Sequence, residues 1–183
     1  MPPRLTAVKV GMVARGGIAA AIVSGLQAWQ GPVVFDPVLG ASGGGSLFEG
    51  TPADLRPLVC RATLVTPNLA EAAWLTGLVV ETLDHARQAA QALAAWGPAA
   101  VLVKGGHLCG PATDVFRSPA GERLFEGPRL PGTSPRGTGC ALATAIAVGL
   151  ARGEPLEQSV DGAKVWLAGR IQAARAIGNA RYL

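Results

Sequence analysis

Apolar residues along this chain follow two alternating rhythms, short β-rich runs and longer stretches with helical spacing. Ala7-Val8-Lys9-Val10-Gly11-Met12 reads as a strand and residues 18–29 as a helix. Val33-Val34-Phe35-Asp36 predicts a second strand, closed by Pro37, and Thr51 or Pro52 opens a helix running to about Val59. Thr63-Leu64-Val65-Thr66 predicts a third strand, followed by a short helix over residues 69–75 and a longer one over 83–95. Ala100-Val101-Leu102-Val103-Lys104 is the fourth strand. Asp114-Val115-Phe116 and Glu122-Arg123-Leu124-Phe125 flank Ser118-Pro119-Ala120-Gly121 and predict a hairpin. Two helices, over residues 138–151 and 155 to about 176, are expected to finish the chain. Strands alternating with helices predict an α/β fold around a mainly parallel sheet. No repeat, low-complexity tract or linker interrupts the pattern, so residues 1–183 are expected to form a single domain.

Composition narrows the class. Hydrophobic residues make up 49% of the 183 and charged residues 15%, with a mean hydropathy of +0.33. That excludes a disordered chain. No apolar run reaches the roughly 18 residues needed to cross a bilayer, and no signal-peptide core follows Met1, which places the chain in the cytoplasm without a membrane. Cys60, Cys109 and Cys140 form an odd set without a C-x-x-C pair, against a disulfide framework or structural zinc. The net charge of +4 is spread along the chain. Its nearest approach to a basic cluster, Arg170, Arg175 and Arg181, lacks interleaved aromatics, so no nucleic-acid partner is expected.

Candidate chemistry gathers at predicted strand ends, where open α/β sheets bind ligands. Gly137-Thr138-Gly139-Cys140 opens onto an apolar helix. Its glycines permit close approach to an anion, the first N–H groups of the helix lack partners, and the positive dipole end eases formation of a Cys140 thiolate. A glycine turn before a buried helix, with Cys140 as a core residue, is equally compatible with that segment alone. Asp36, in Asp36-Pro37-Val38, is placed to hold magnesium, or merely to start a turn before proline. Asn68 and Glu71 have the spacing of a reciprocal helix cap, and the same geometry lets Glu71 organise a hydrated cation. Lys104, one of three lysines against thirteen arginines, precedes Gly105 and Gly106 and can reach a phosphate, or else lies on the surface beside a turn. His107 has a weaker case, as a structural or site-lining residue. An anion cradle, two carboxylates, a cation and a proton acceptor together suit phosphoryl transfer. Neither G-x-x-x-x-G-K-[ST] nor a post-strand G-x-G-x-x-G occurs, which excludes P-loop and Rossmann readings.

These motifs, in this order, resemble hydroxymethylpyrimidine and phosphomethylpyrimidine kinases of thiamine biosynthesis, in the ribokinase-like superfamily. The resemblance also covers Val8-Lys9-Val10-Gly11-Met12 and Lys164-Val165-Trp166-Leu167, and cysteine rather than aspartate at position 140 points to the pyrimidine branch. It implies a three-layer α/β/α fold and ATP- and Mg²⁺-dependent phosphorylation of 4-amino-5-hydroxymethyl-2-methylpyrimidine or its phosphate. Cys140 would be the catalytic base, and Gly137, Thr138 and Gly139 would stabilise the phosphoryl group. Asp36 and Glu71 would organise Mg²⁺. Asn68, Lys104 and Gly106 would contact the nucleotide, and Gly11, Met12 and Val38 the pyrimidine. A pyridoxal-type kinase and a degenerate nucleotide-binding protein are the competing readings. Two departures stand out. Pro135-Arg136 replaces the family's Thr-His, and the family's glycine-rich G-[ST]-D-x-x-G-G-A-G-I-Q-A-D segment is absent, so the chain is N-terminally truncated relative to the family. An exposed sheet edge is the expected consequence, covered by homodimerisation or by a second polypeptide.

Overall fold

The computed structural model describes residues 5–40, 44–106, 108, 110–129, 135–177 and 180–182. His107 and Cys109 lie outside them. Six strands form one sheet in sequential order: β1 (Val8–Val10), β2 (Val33–Phe35), β3 (Leu64–Val65), β4 (Val101–Val103), β5 (Asp114–Ser118) and β6 (Gly121–Phe125). β1 to β4 are parallel, and β5 and β6 return antiparallel as the expected hairpin. The parallel strands are apolar at nearly every position because both faces are covered, which a half-solvated sheet would not tolerate.

The pleat sorts these residues between two cores. Val10, Val33, Phe35, Val65, Val101 and Val103 face one way. They pack against α1 (Gly16–Gly25), α2 (Pro52–Arg61), α3 (Leu69–Thr76) and α4 (Leu83–Ala94), the crossovers between the parallel strands. Val34, Leu64, Leu102 and Phe116 face the other way, against α5 (Thr138–Ala151) and α6 (Leu156–Gln172). The result is three layers, helix, sheet and helix. Parallel pairing brings the carboxyl ends of β1 to β4 to one rim, and α5 starts at that rim.

Local chemistry sets the element ends. Asp54 Oδ2 accepts the Thr51 backbone N–H at 2.7 Å and starts α2, and Thr82 Oγ1 accepts the His85 N–H at 3.1 Å and starts α4. Two expected boundaries move. α1 spans Gly16–Gly25 rather than 18–29, because turns at 26–28 bring the chain round to Gly31-Pro32 and the start of β2. The last helix ends at Gln172 rather than near 176. Beyond it β7 (Arg175–Ile177) and β8 (Ala180–Tyr182) pair antiparallel. Ile177 is in register with Ala180, which leaves Gly178-Asn179 between the strands, a dipeptide that favours two-residue hairpin loops. No helix among the described residues is long and apolar enough to cross a membrane.

Candidate active site

Past the end of each parallel strand the backbone ladder runs one step further. Asp36 N–H donates to Val10 O at 2.9 Å, Thr66 N–H to Phe35 O at 2.9 Å, and Lys104 N–H to Pro67 O at 2.8 Å. These bonds set Asp36, Thr66 and Lys104 side by side along the rim. Asp36 is 1% exposed. Its Oδ1 accepts from Lys104 Nζ at 2.8 Å and from Thr66 Oγ1 at 3.2 Å. Its Oδ2 is buried without a hydrogen-bond partner, 3.9 Å from Lys9 Nζ.

Glu71 reaches the rim through the helix cap that its spacing predicts. Asn68 Oδ1 accepts the Glu71 N–H at 2.8 Å, and Glu71 Oε2 accepts the Asn68 N–H at 2.7 Å. The same Oε2 lies 4.0 Å from Lys104 Nζ, so cap and charge cluster are one structure. Burial pushes the Glu71 carboxyl above its usual range, and the Lys104 ammonium is the largest opposing influence.

The first turn of α5 closes the rim from the other layer. Gly137 takes φ +82°, a left-handed conformation that suits glycine and turns the chain into the helix. Ala141 donates the first intrahelical bond, to Gly137 O at 2.9 Å, so the N–H groups of Thr138, Gly139 and Cys140 precede the ladder. A Cβ on Gly139 would stand 3.1 Å from Lys104 Nζ, so the ammonium packs directly against this turn. Cys140 is exposed and stands beside the Asp36 carboxylate. The expectation of an eased thiolate is reversed. Partial burial, then the Asp36 carboxylate, push the Cys140 thiol above its ordinary value, against smaller opposing pulls from Lys9 and Lys104.

The structure thus brings Asp36, Asn68, Glu71, Lys104, Gly137, Thr138, Gly139 and Cys140 to one rim. Gly106 is exposed just beyond it, where its carbonyl accepts from Arg129 Nη1 at 3.0 Å. Gly11 and Met12 follow β1 and Val38 follows β2, with Met12 57% exposed and Gly11 and Val38 half-buried. Sequence reasoning missed Lys9, Thr66, Asp114 and Lys164. Asp114 is 5% exposed. Its Oδ1 accepts the Gly105 N–H at 2.9 Å and its Oδ2 accepts from Lys164 Nζ at 2.5 Å. That pair anchors the turn after Lys104. The scarcity of lysine, applied in the sequence to Lys104 alone, was the signal for the other two, because all three lysines of the chain lie within 4 Å of carboxylates at or just behind this rim.

A family model described as phosphomethylpyrimidine kinase matches residues 3–182. The chain belongs to that family. Among curated members, the hydroxymethylpyrimidine/phosphomethylpyrimidine kinase of Rhizobium meliloti is 45% identical over 175 residues, covering 92% of this chain and 65% of its own. The Streptomyces coelicolor protein of the same name is 38% identical over 177 residues, covering 94% and 65%. The chain therefore spans about two thirds of the length of these phosphomethylpyrimidine kinase relatives, 65% in each case. Solved neighbours include the phosphomethylpyrimidine kinase of Clostridium difficile, at a TM-score of 0.76 and 30% identity, covering 93% of this chain and 70% of that one. An ADP complex of Bacillus subtilis pyridoxal kinase reaches 0.86 at 26% identity, covering 96% and 67%. These neighbours share the ribokinase-like fold expected from the motifs.

Proposed function

We propose that this chain transfers the terminal phosphoryl group of ATP to the hydroxymethyl oxygen of 4-amino-5-hydroxymethyl-2-methylpyrimidine or of its phosphate. The observation that carries the reading is the meeting of Cys140, on the first turn of α5, with Asp36, Glu71 and Lys104 at the strand ends. Identities of 45% and 38% to hydroxymethylpyrimidine/phosphomethylpyrimidine kinases support the substrate. In this reading the Cys140 thiolate takes the hydroxyl proton, the freed oxygen bonds to the γ-phosphorus, and the bond to the bridging oxygen breaks. ADP leaves with that electron pair. N–H groups of the Gly137-Thr138-Gly139 turn face the charge that builds on the phosphoryl oxygens. Lys104, Asn68 and Gly106 attend the nucleotide, and Gly11, Met12 and Val38 the pyrimidine.

The residues fit a divalent cation, since Asp36 Oδ2 is a buried acceptor without a hydrogen-bond partner and the Glu71 carboxylate stands on the other side of Lys104. Mg²⁺ held there would offset charge on the nucleotide phosphates. A second reading, phosphorylation of a pyridoxal-type alcohol, draws on the higher TM-score of 0.86 to a pyridoxal kinase. A coupled assay of ADP release with each alcohol separates the two. The expected outcome is faster turnover with the pyrimidine, and a Cys140→Ala variant slowed by about 10²–10⁴-fold, the usual contribution of a positioned base. A fully active Cys140→Ala variant removes the assigned base, and ATP binding without transfer to either alcohol removes the kinase reading. The reading also includes a cytoplasmic homodimer, joined across the β1 edge of the sheet.

A further inference from the structure

Lys9 has no task in the reading above, yet its placement is specific. Along β1 the side chains alternate. Val10 joins the core under α1 to α4, whereas Lys9 is in register with Val34 of the opposite core. Lys9 therefore leaves the sheet on the side where α5 begins. As a lysine on an edge strand it could extend into water, but its side chain is only 21% exposed. It folds back along the strand end, where a Cβ on Gly11 would stand 2.7 Å from Nζ, so the ammonium packs against the backbone of Gly11.

That ammonium is poorly explained as a structural counter-ion. Asp36 already has its neutralising hydrogen bonds, from Lys104 at 2.8 Å and Thr66 at 3.2 Å. Lys9 Nζ stays 3.9 Å from Oδ2, outside hydrogen-bond range, and among the described residues it has no hydrogen-bond partner. Facing it, Oδ2 of a 1%-exposed carboxylate has none either. Two lysines thus flank the start of α5, Lys104 from β4 and Lys9 from β1, with Asp36 between them. Lys104 is engaged by Asp36, while Lys9 Nζ has only its 3.9 Å approach to Oδ2 and is left with donors to spare.

We infer that Lys9 Nζ is a direct contact of the phosphoryl group in transit, gripping it from the acceptor side opposite Lys104. The inference rests on the kinase reading. An ammonium suits the role because the charge at transfer is spread over oxygens, and a point charge with rotatable donors can follow them.

The test uses the 183-residue chain and its Lys9→Met and Lys9→Arg variants, with MgADP and with MgADP plus aluminium fluoride, which forms a planar mimic of the phosphoryl group. Calorimetry should show MgADP affinity within about threefold of the unsubstituted chain in both variants. Affinity for the fluoride complex should fall by about 30-fold or more in Lys9→Met and be substantially recovered in Lys9→Arg, in line with the 10²–10³-fold in kcat that one such donor commonly contributes. Unchanged affinity of Lys9→Met for the fluoride complex overturns the inference. So does an equal loss of MgADP binding, or failure of the unsubstituted chain to bind the complex. In the coupled assay, kcat should fall in Lys9→Met with little change in KM for ATP. Absence of turnover in the unsubstituted chain, with Lys9-dependent fluoride binding intact, overturns the kinase reading and leaves the phosphoryl contact standing.

Discussion

At Cys140 the helix start and the carboxylate beside it act in opposite directions, and the neighbours decide the outcome. Partial burial and Asp36 make the thiolate scarcer than in an ordinary thiol of value 9.0. A base of raised pKa is ready only at higher pH, so the alkaline limb of kcat/KM should still be climbing at pH 9.0. Replacing Asp36 with asparagine removes the one charge that, after burial, holds the thiol up, and iodoacetamide labelling of Cys140 should then set in at lower pH, read against Cys60 in the same sample. The residue types at the rim were legible in the sequence, because Asp36, Glu71, Lys104 and Cys140 each sit at a strand or helix end where polar chemistry has a reason to be. Their mutual effects were not, since the Cys140 thiol responds to Asp36 and Lys9, more than a hundred positions earlier in the chain.

At the scale of elements, the chain just after β4 is fixed at Gly105 from two sides. Gly105 has the Thr113 carbonyl oxygen 1.9 Å from where a Cβ would be, and its N–H is held by Asp114. Lys164, projecting from α6, neutralises that aspartate. Removing the ammonium strands a 5%-exposed carboxylate, so Lys164→Met should cost about 3 kcal/mol or more in urea unfolding. Asp114→Asn combined with Lys164→Met should recover part of that loss, because the stranded charge is gone. The element pattern was readable because both cores demand it, with strands apolar on two faces and helices carrying small residues inward, as at Ala86, Ala89 and Ala90 of α4. The end of α6 was not, because residues 173–176 continue a helical composition, and the strand that leads back is tied by Arg136 N–H to Arg181 O at 2.9 Å, a contact between distant parts of the chain. That tie braces the approach to the glycine turn from the far end of the chain.

On the scale of the whole molecule, the sheet is covered on both faces and ends on one side in β6, whose residues 122–123 are exposed and charged. β1 is the other edge, with Leu5 64%, Met12 57% and Ile18 40% exposed in the segments around it. An apolar edge strand is a surface that proteins ordinarily pair or cover. Sedimentation velocity at micromolar concentration should therefore report a species of twice the mass of the 18.5 kDa chain, and a monomer there removes the proposed homodimer. Ile18→Arg, which sets like charges against each other across a two-fold interface, should shift that species toward the monomer. The concentration of lysine at the rim has one more consequence. Lys9, Lys104 and Lys164 are the only lysine amines in the chain, and each stands within 4 Å of a carboxylate at or just behind the rim. An amine-selective acylating reagent, blind to the thirteen arginines and read by mass at the lysine-bearing peptides apart from the α-amine, would thus map occupancy of one small region of the molecule, turning an everyday lysine footprint into a reporter of whether a ligand has arrived.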